Sequence, residues 1–409
     1  MRNGAGVSTF AALKTRNYRY YWLGLVCYVL GHRAEYVTFA WMVWEVTHDP
    51  IYLGYLGLAQ GVPLVVFQLF GGVLADRTDR LRLLISTQLL TALTLAAAFT
   101  LTLLGNVQVV PLVVLAALSS VFRAFDEPSR LSLIPQLIDR ARLSNAIALG
   151  SIPWQAGRMI GPSIAGILIA VYGGTVGFAM AVVASAAALL LYSRLRLAGA
   201  PLAGHGQRML SQLAEGLAFV GRNFVFTALT GLALFNALFG LSYVTLLPIF
   251  ADWYFDAGPR GFGWLNAAHG FGALGGTLTV ATLGHAIRRP GVVLLIGATS
   301  MGLALIGFAT SPVMGIAIVF LVVLGFSNTF YLTQVSTFMQ TNVPDHLRGR
   351  VLSIYSLCWN LLPLGGLIGG ALAAAVNARF AVAFGGAMVA ANALLLLTSR
   401  RLRGLSARS

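Results

Sequence analysis

Eight side chains that titrate or carry charge stand inside otherwise apolar runs: His32, Arg33, Glu35, Arg123, Asp126, Glu127, Arg158 and His269. A charged group at the centre of a bilayer costs at least roughly 2.5–3.5 kcal/mol on insertion scales, so each is a candidate for function. The chemistry open to a carboxylate in such a place is reversible protonation, because burial favours the acid and a neighbouring cation favours the anion. Spacing narrows the partners. His32 and Glu35, three apart, share a helix face, whereas Arg33 and Glu35, two apart, do not. At about 1.5 Å per residue Glu35 lies about 9 Å below Trp41, and Arg158 has risen about 20 Å from Asn145, which puts the two at matching depth. The sequence therefore predicts a Glu35–Arg158 interaction with His32 and Arg33 beside it, serving as a proton-coupling site or as a fixed ion pair between the first and fifth helices. Asp126 is the other carboxylate that could titrate.

Arg123, Asp126, Glu127 and Arg130 are spaced for pairs along a single helix. Asp126 lies about 25 Å along that helix from Val109, in the inner third of a bilayer. Pro128 removes a donor there and frees the carbonyl four residues back. This group reads as an inner-gate network with Asp76, Arg77 and Arg80 rather than a substrate site.

The elements that must position these residues follow from composition. The chain has 409 residues, 58% hydrophobic and 10% charged, against roughly 45–50% and about 25% for soluble domains. A soluble enzyme, a disordered chain and a disulfide scaffold are excluded, and Cys27 and Cys358 sit in apolar runs as buried hydrophobes. Apolar runs long enough to span a bilayer occur at about 18–44, 51–75, 83–104, 109–132, 145–171, 176–193, 224–249, 262–283, 291–309, 313–338, 351–376 and 379–398. With the N-terminus inside, the outer loops hold only Arg260 and Arg379 among the basic residues. The remaining bases outside the spans fall on the inner side, so both termini are expected in the cytoplasm. The net charge of +15 is thus a topology signal, and nucleic-acid binding is not expected. Tyr18, Tyr20, Tyr21 and Trp22 at one end of the first helix, with Trp41 and Trp44 at the other, read as interfacial aromatic belts.

The longest polar break runs from Arg194 to Arg222 and divides the spans six and six. It gives an N-terminal bundle at 1–193, a linker at 194–222 with an amphipathic stretch at 209–221, and a C-terminal bundle at 223–409. The halves echo each other. Arg16-Asn17-Tyr18 matches Arg222-Asn223-Phe224, Gly54-Tyr55-Leu56 with Gln60 matches Gly263-Trp264-Leu265 with His269, and Gly161, Pro162 and Gly166 match Gly365, Gly366 and Gly370. Near-constant offsets imply two parallel six-helix bundles that alternate access to a midplane site. The fold class expected is an all-α membrane protein of twelve transmembrane helices.

Gly72-Val-Leu-Ala-Asp76-Arg77-Thr-Asp79-Arg80 resembles the loop signature of the major facilitator superfamily. Gly157-Arg-Met-Ile-Gly161-Pro162-Ser-Ile-Ala-Gly166 is similar to the antiporter motif of its proton-coupled exporters. Phe125-Asp126-Glu-Pro128-Ser-Arg130 with Ser144-Asn145-Ala146 resembles the subgroup of enterobactin exporters and macrolide efflux pumps. Asp79 departs from the usual glycine, and His285 stands where Asp76 would recur. The resemblance implies export against protons and an inner gate that brings Asp76 near Arg350. Gly157, Gly161, Pro162 and Gly166 also have a plain packing reading, since glycines let another helix approach closely.

Gln60, Asn236, Phe239, Tyr243, His269, Asn328, Tyr331, Gln334, Trp359 and Asn360 are candidates for an aromatic and amide wall around an amphipathic ligand. No enzyme motif or metal spacing is present in the sequence, and neither a cofactor nor a metal is expected. The reading is a monomeric, multi-pass inner-membrane secondary transporter that exports amphipathic molecules such as drugs or siderophores in exchange for protons. A lysophospholipid or metal-ion carrier on the same scaffold and a non-transporting membrane sensor or scaffold are the alternatives.

Overall fold

The computed structural model describes residues 11–139, 142–196, 217–283 and 289–404, and these are helical almost throughout. In chain order the helices are α1 (Arg16–Thr47), α2 (Pro50–Arg77), α3 (Arg80–Leu103), α4 (Val109–Leu137), α5 (Leu143–Tyr172) and α6 (Gly174–Tyr192). There follow α7 (Phe224–Phe235), α8 (Tyr243–Ile249), α9 (Gly258–Leu283), α10 (Pro290–Thr310), α11 (Met314–Asn342), α12 (Asp345–Asn360), α13 (Leu362–Ala375), α14 (Ala378–Leu397) and the short α15 (Arg400–Arg403). Among the described residues nine helical stretches are long and apolar enough to cross a membrane. α1, α5 and α9 are as long and carry polar groups within their apolar runs. α1 carries His32, Arg33 and Glu35, α5 carries Arg158 among its glycines, and α9 is glycine-rich and holds His269. The 194–222 linker and its amphipathic stretch fall largely on 197–216, outside the described residues, as does His285.

Local chemistry explains several helix ends. Asp79, the residue in place of the loop-motif glycine, caps α3: its Oδ1 accepts from the Leu81 and Arg82 amides at 2.9 and 3.1 Å. An aspartate there satisfies two donors that a helix start leaves open and favours the positive end of the helix dipole. Asn377 caps α14 in the same way through the Phe380 amide. Gly173, at φ 84°, lets α5 reverse directly into α6.

The chain divides into two compact units, residues 1–39 with 62–204 and residues 40–61 with 205–409. In the first unit α3 packs between α4 and α6. Tyr18, Tyr21 and Trp22 prove to pack inside the unit rather than to form a lipid-facing belt, whereas Tyr20 lies under Arg16. Tyr18 and Tyr21 are fully buried, and Tyr18 donates to the Ala146 carbonyl at 2.6 Å. Trp22 donates to the Leu149 carbonyl at 2.9 Å. Tyr18 and Trp22 each bring an apolar body to α5 and spend a single donor on a backbone oxygen of that helix, while Tyr21 donates to the Arg130 carbonyl of α4 at 3.4 Å.

In the second unit α10 lies against both α11 and α14. Gly302 of α10 and Gly386 of α14 meet backbone to backbone: a Cβ on Gly302 would come within 2.6 Å of the Gly386 carbonyl oxygen, and the reverse holds. The run at 224–249, expected as one span, lies within the single span-length stretch Phe224–Tyr254, whose helix is not α throughout. Residues Asn236–Gly240 and Phe250–Tyr254 are π-helical, with amides reaching back five residues, Leu241 to Asn236 and Phe255 to Phe250. Trp44 is fully buried in this unit, donating to Asp252 at 3.0 Å and standing edge-on to Trp253, so it too leaves the expected belt.

Candidate functional site

Glu35 sits on α1, 1% exposed, with both carboxylate oxygens engaged. Oε1 accepts from Ser119 at 2.6 Å and Oε2 accepts from Arg123 Nη1 at 3.2 Å, both donors being on α4. Arg123 is shared further: Nη2 donates to Ser120 at 2.5 Å, and Nη1 meets His32 Nδ1 at 2.6 Å. A guanidinium has only donors, so His32 Nδ1 must be the acceptor, and the imidazole here is neutral with its proton on Nε2. The 3.6 Å approach of His32 Nδ1 to Glu35 is then a contact between two acceptors that Arg123 bridges, not an ion pair.

The expected partner was Arg158, and the structure corrects this to Arg123. Two geometric facts account for it. Helix α1 continues past Trp41 to Thr47, so Glu35 is about 18 Å from its end and stands at the level of Arg123 in α4. Azimuth then decides the neighbour. Val29 and Arg33 form the face of α1 that meets α5, since a Cβ on Gly157 would strike Val29 and one on Gly161 would lie 2.5 Å from the Arg33 Cβ. Glu35, two residues beyond Arg33, points about 200° away from that seam, toward α4. Arg158 occupies an exposed position on α5.

One turn further along α4, Asp126 and Arg130 form the i,i+4 pair that their spacing predicted, at 2.7 Å, both 2% exposed. Asp126 Oδ1 is buried with no hydrogen-bond partner among the described residues. Arg123 does not join this pair, and Glu127 enters no ion pair among the described residues. The guanidinium of Arg130 stacks over Tyr28 at 4.1 Å and lies 5.5 Å from the Trp154 ring centre. Tyr28 and Trp154 also flank His32 at 6.2 and 6.4 Å. These two aromatics thus stand between the Glu35–Arg123–His32 group and the Asp126–Arg130 pair, and cation–π attraction holds Arg130 on its own side.

Ser119, Ser120, Tyr28 and Trp154 were not picked out in the sequence. The adjacent serines in an apolar helix were a legible signal, because a buried hydroxyl needs a partner. The aromatics carried none. Arg80 donates to the Ser132 carbonyl at 3.3 Å, tying the start of α3 to α4. The side chains of Asp76, Arg77 and Arg350, and that of Asn360, lie outside the described residues. Gly157, Gly161, Pro162 and Gly166 are all buried in α5, which continues through Pro162 as helix.

The remaining candidates meet inside the second unit as neutral pairs. Tyr243 Oη and His269 Nδ1 are 2.8 Å apart, and Asn236 donates to Asn328 at 3.0 Å. Asn236 Oδ1, Gln334 Nε2 and Gln60 Nε2 are buried without a partner among the described residues. Tyr331 is fully buried, Phe239 stacks with Phe235 and Phe384, and Trp359 stands edge-on to Tyr355.

The sequence matches the family model described as transmembrane secretion effector over residues 7–408. Among curated relatives it is 26% identical over 360 residues to the staphyloferrin A transporter of Staphylococcus aureus, covering 86% of this chain and 88% of that one. It is 29% identical over 357 residues to the multidrug efflux pump Tap of Mycolicibacterium fortuitum, covering 85% and 87%. Among solved structures it superposes on a POT family transporter in complex with 5-aminolevulinic acid with a TM-score of 0.75 at 13% identity, covering 95% and 97% of the two chains, a likeness of fold.

Proposed function

The chain belongs to the transmembrane secretion effector family of the major facilitator superfamily, and from that premise we propose that it exports amphipathic small molecules, of the drug or siderophore kind, in exchange for protons. It works in the cytoplasmic membrane with both termini inside. The observation that carries the proton-coupled reading is Glu35: a buried carboxylate on α1 whose cation, Arg123, comes from a different helix and already holds two neutral acceptors.

That arrangement gives protonation a mechanical consequence. When Glu35 takes a proton its attraction to Arg123 falls from an ion pair to a hydrogen bond at most. Arg123 does not become an orphaned buried cation, because Nη1 keeps His32 and Nη2 keeps Ser120. The tie between α1 and α4 loosens at a tolerable cost, and the two protonation states favour different helix arrangements. Substrate and proton then bias the same equilibrium in opposite directions. Gly157 and Gly161 hold α1 close against α5, so movement of α1 is transmitted to that helix.

The reading is tested in proteoliposomes of the full chain with an imposed pH gradient, using a catecholate siderophore, a macrolide and a lipophilic cation as trial substrates. Uphill substrate movement opposed to proton flow is expected for at least one of them. Flux that runs only downhill, indifferent to the gradient, would overturn proton coupling.

A further inference from the structure

The membrane-depth charges of the first unit do not balance. Arg123 is matched by Glu35 and Arg130 by Asp126. Arg33 enters no ion pair among the described residues, and its Nε is buried without a hydrogen-bond partner. Its guanidinium carbon lies 6.0 Å from the centre of the Trp154 ring. Arg158, at an exposed position next to Gly157, is a second positive charge on α5. Each of the two arginines lies about 21 Å from the C-terminal end of its helix, Thr47 or Tyr172. Glu127, the remaining acid at this depth of the unit, is on α4 about 27 Å from Val109, roughly a turn deeper.

A guanidinium left unmatched at this depth is expensive unless something supplies the anion. Arg33 is also fixed in place. Its Cβ is wedged against Gly161, where no larger residue fits, and its side chain is only partly buried, so the fork remains approachable. A planar fork of donors held in this way suits a carboxylate or another planar acidic group, which it binds through two parallel hydrogen bonds.

We propose that the exported molecule is an organic anion and that Arg33 is the residue that receives its acidic group. This rests on the exporter reading above and names the substrate class within it. A lipophilic cation is repelled by the positive charge of Arg33, which enters no ion pair among the described residues.

The test uses two fluorescent probes with one apolar body and opposite heads, 4-(pyren-1-yl)butanoate and 4-(pyren-1-yl)butylammonium. Saturable binding of each is measured by anisotropy on the full chain in nanodiscs, for wild type, Arg33→Gln and Arg33→Lys. The anion is expected to bind at least about ten-fold tighter than the cation. Arg33→Gln should bring the two within about two-fold, and Arg33→Lys should keep most of the preference. Tighter binding of the cation, or an anion preference unchanged in Arg33→Gln, would overturn the inference and leave the exporter reading intact. Saturable binding of neither probe would overturn both.

Discussion

In residues 11–39 and 62–196 the buried polar groups meet as Glu35 with Arg123 and Asp126 with Arg130. In residues 40–61 and 217–404 they meet as Tyr243 with His269, Asn236 with Asn328 and Ser300 with Ser327. One region carries its internal polarity as ions and the other as neutral hydrogen bonds. The difference decides what a proton can do in each. Adding one to Glu35 removes a full charge from a low-dielectric site, where an ion pair interacts far more strongly than in water. The Asn236–Asn328 and Ser300–Ser327 pairs hold no group that titrates across the physiological pH range. The first region is therefore suited to respond, and the second to hold shape around a ligand.

The contrast can be broken most severely at Arg123. Arg123→Ala leaves Glu35 buried without its cation, and loss of one partner from a buried pair costs about 3–5 kcal/mol. Thermal unfolding of the detergent-purified variant should show a large drop, with transport lost. A smaller loss is expected from Gly302→Val in the second region, where the added methyls collide with the Gly386 backbone, at about 1–3 kcal/mol of overpacking. The same unfolding measurement checks it, and a null effect would mean that α10 and α14 can separate freely. Smallest is Tyr243→Phe, which removes one neutral hydrogen bond to His269 for about 0.5–1.5 kcal/mol. The comparison fails if that variant destabilises as much as Arg123→Ala.

Much of the architecture was legible because the bilayer imposes a coarse code. Long apolar runs, basic loops and repeated glycines needed no structure to be noticed. Pairs within one helix were legible too, as with Asp126 and Arg130, because helical spacing fixes who can meet. The partner of Glu35 was not. Depth reckoned from Trp41 pointed to Arg158, and only the end of α1 at Thr47 and the seam of Gly157 and Gly161 against Val29 and Arg33 show at what level Glu35 sits and which way it faces. The π-helical stretches at 236–240 and 250–254 were equally hidden. They insert one extra residue per turn into a run whose composition still reads as ordinary helix. Tyr28 and Trp154 were lost among other membrane aromatics, since nothing in their spacing sets apart a ring that stacks on an arginine from one that faces a neighbour.

The central claim is that Glu35 carries the coupled proton, and the most direct test separates coupling from transport in one preparation. Proteoliposomes of wild type and Glu35→Gln are compared in two modes: net efflux driven by a pH gradient, and one-for-one exchange of labelled for unlabelled substrate with no gradient. Glutamine keeps one acceptor oxygen for Arg123 and turns its NH2 toward Ser119, whose hydroxyl can accept, so the account predicts that exchange survives in the variant while gradient-driven flux is lost. Gradient-driven flux that persists in Glu35→Gln at the wild-type rate would contradict it.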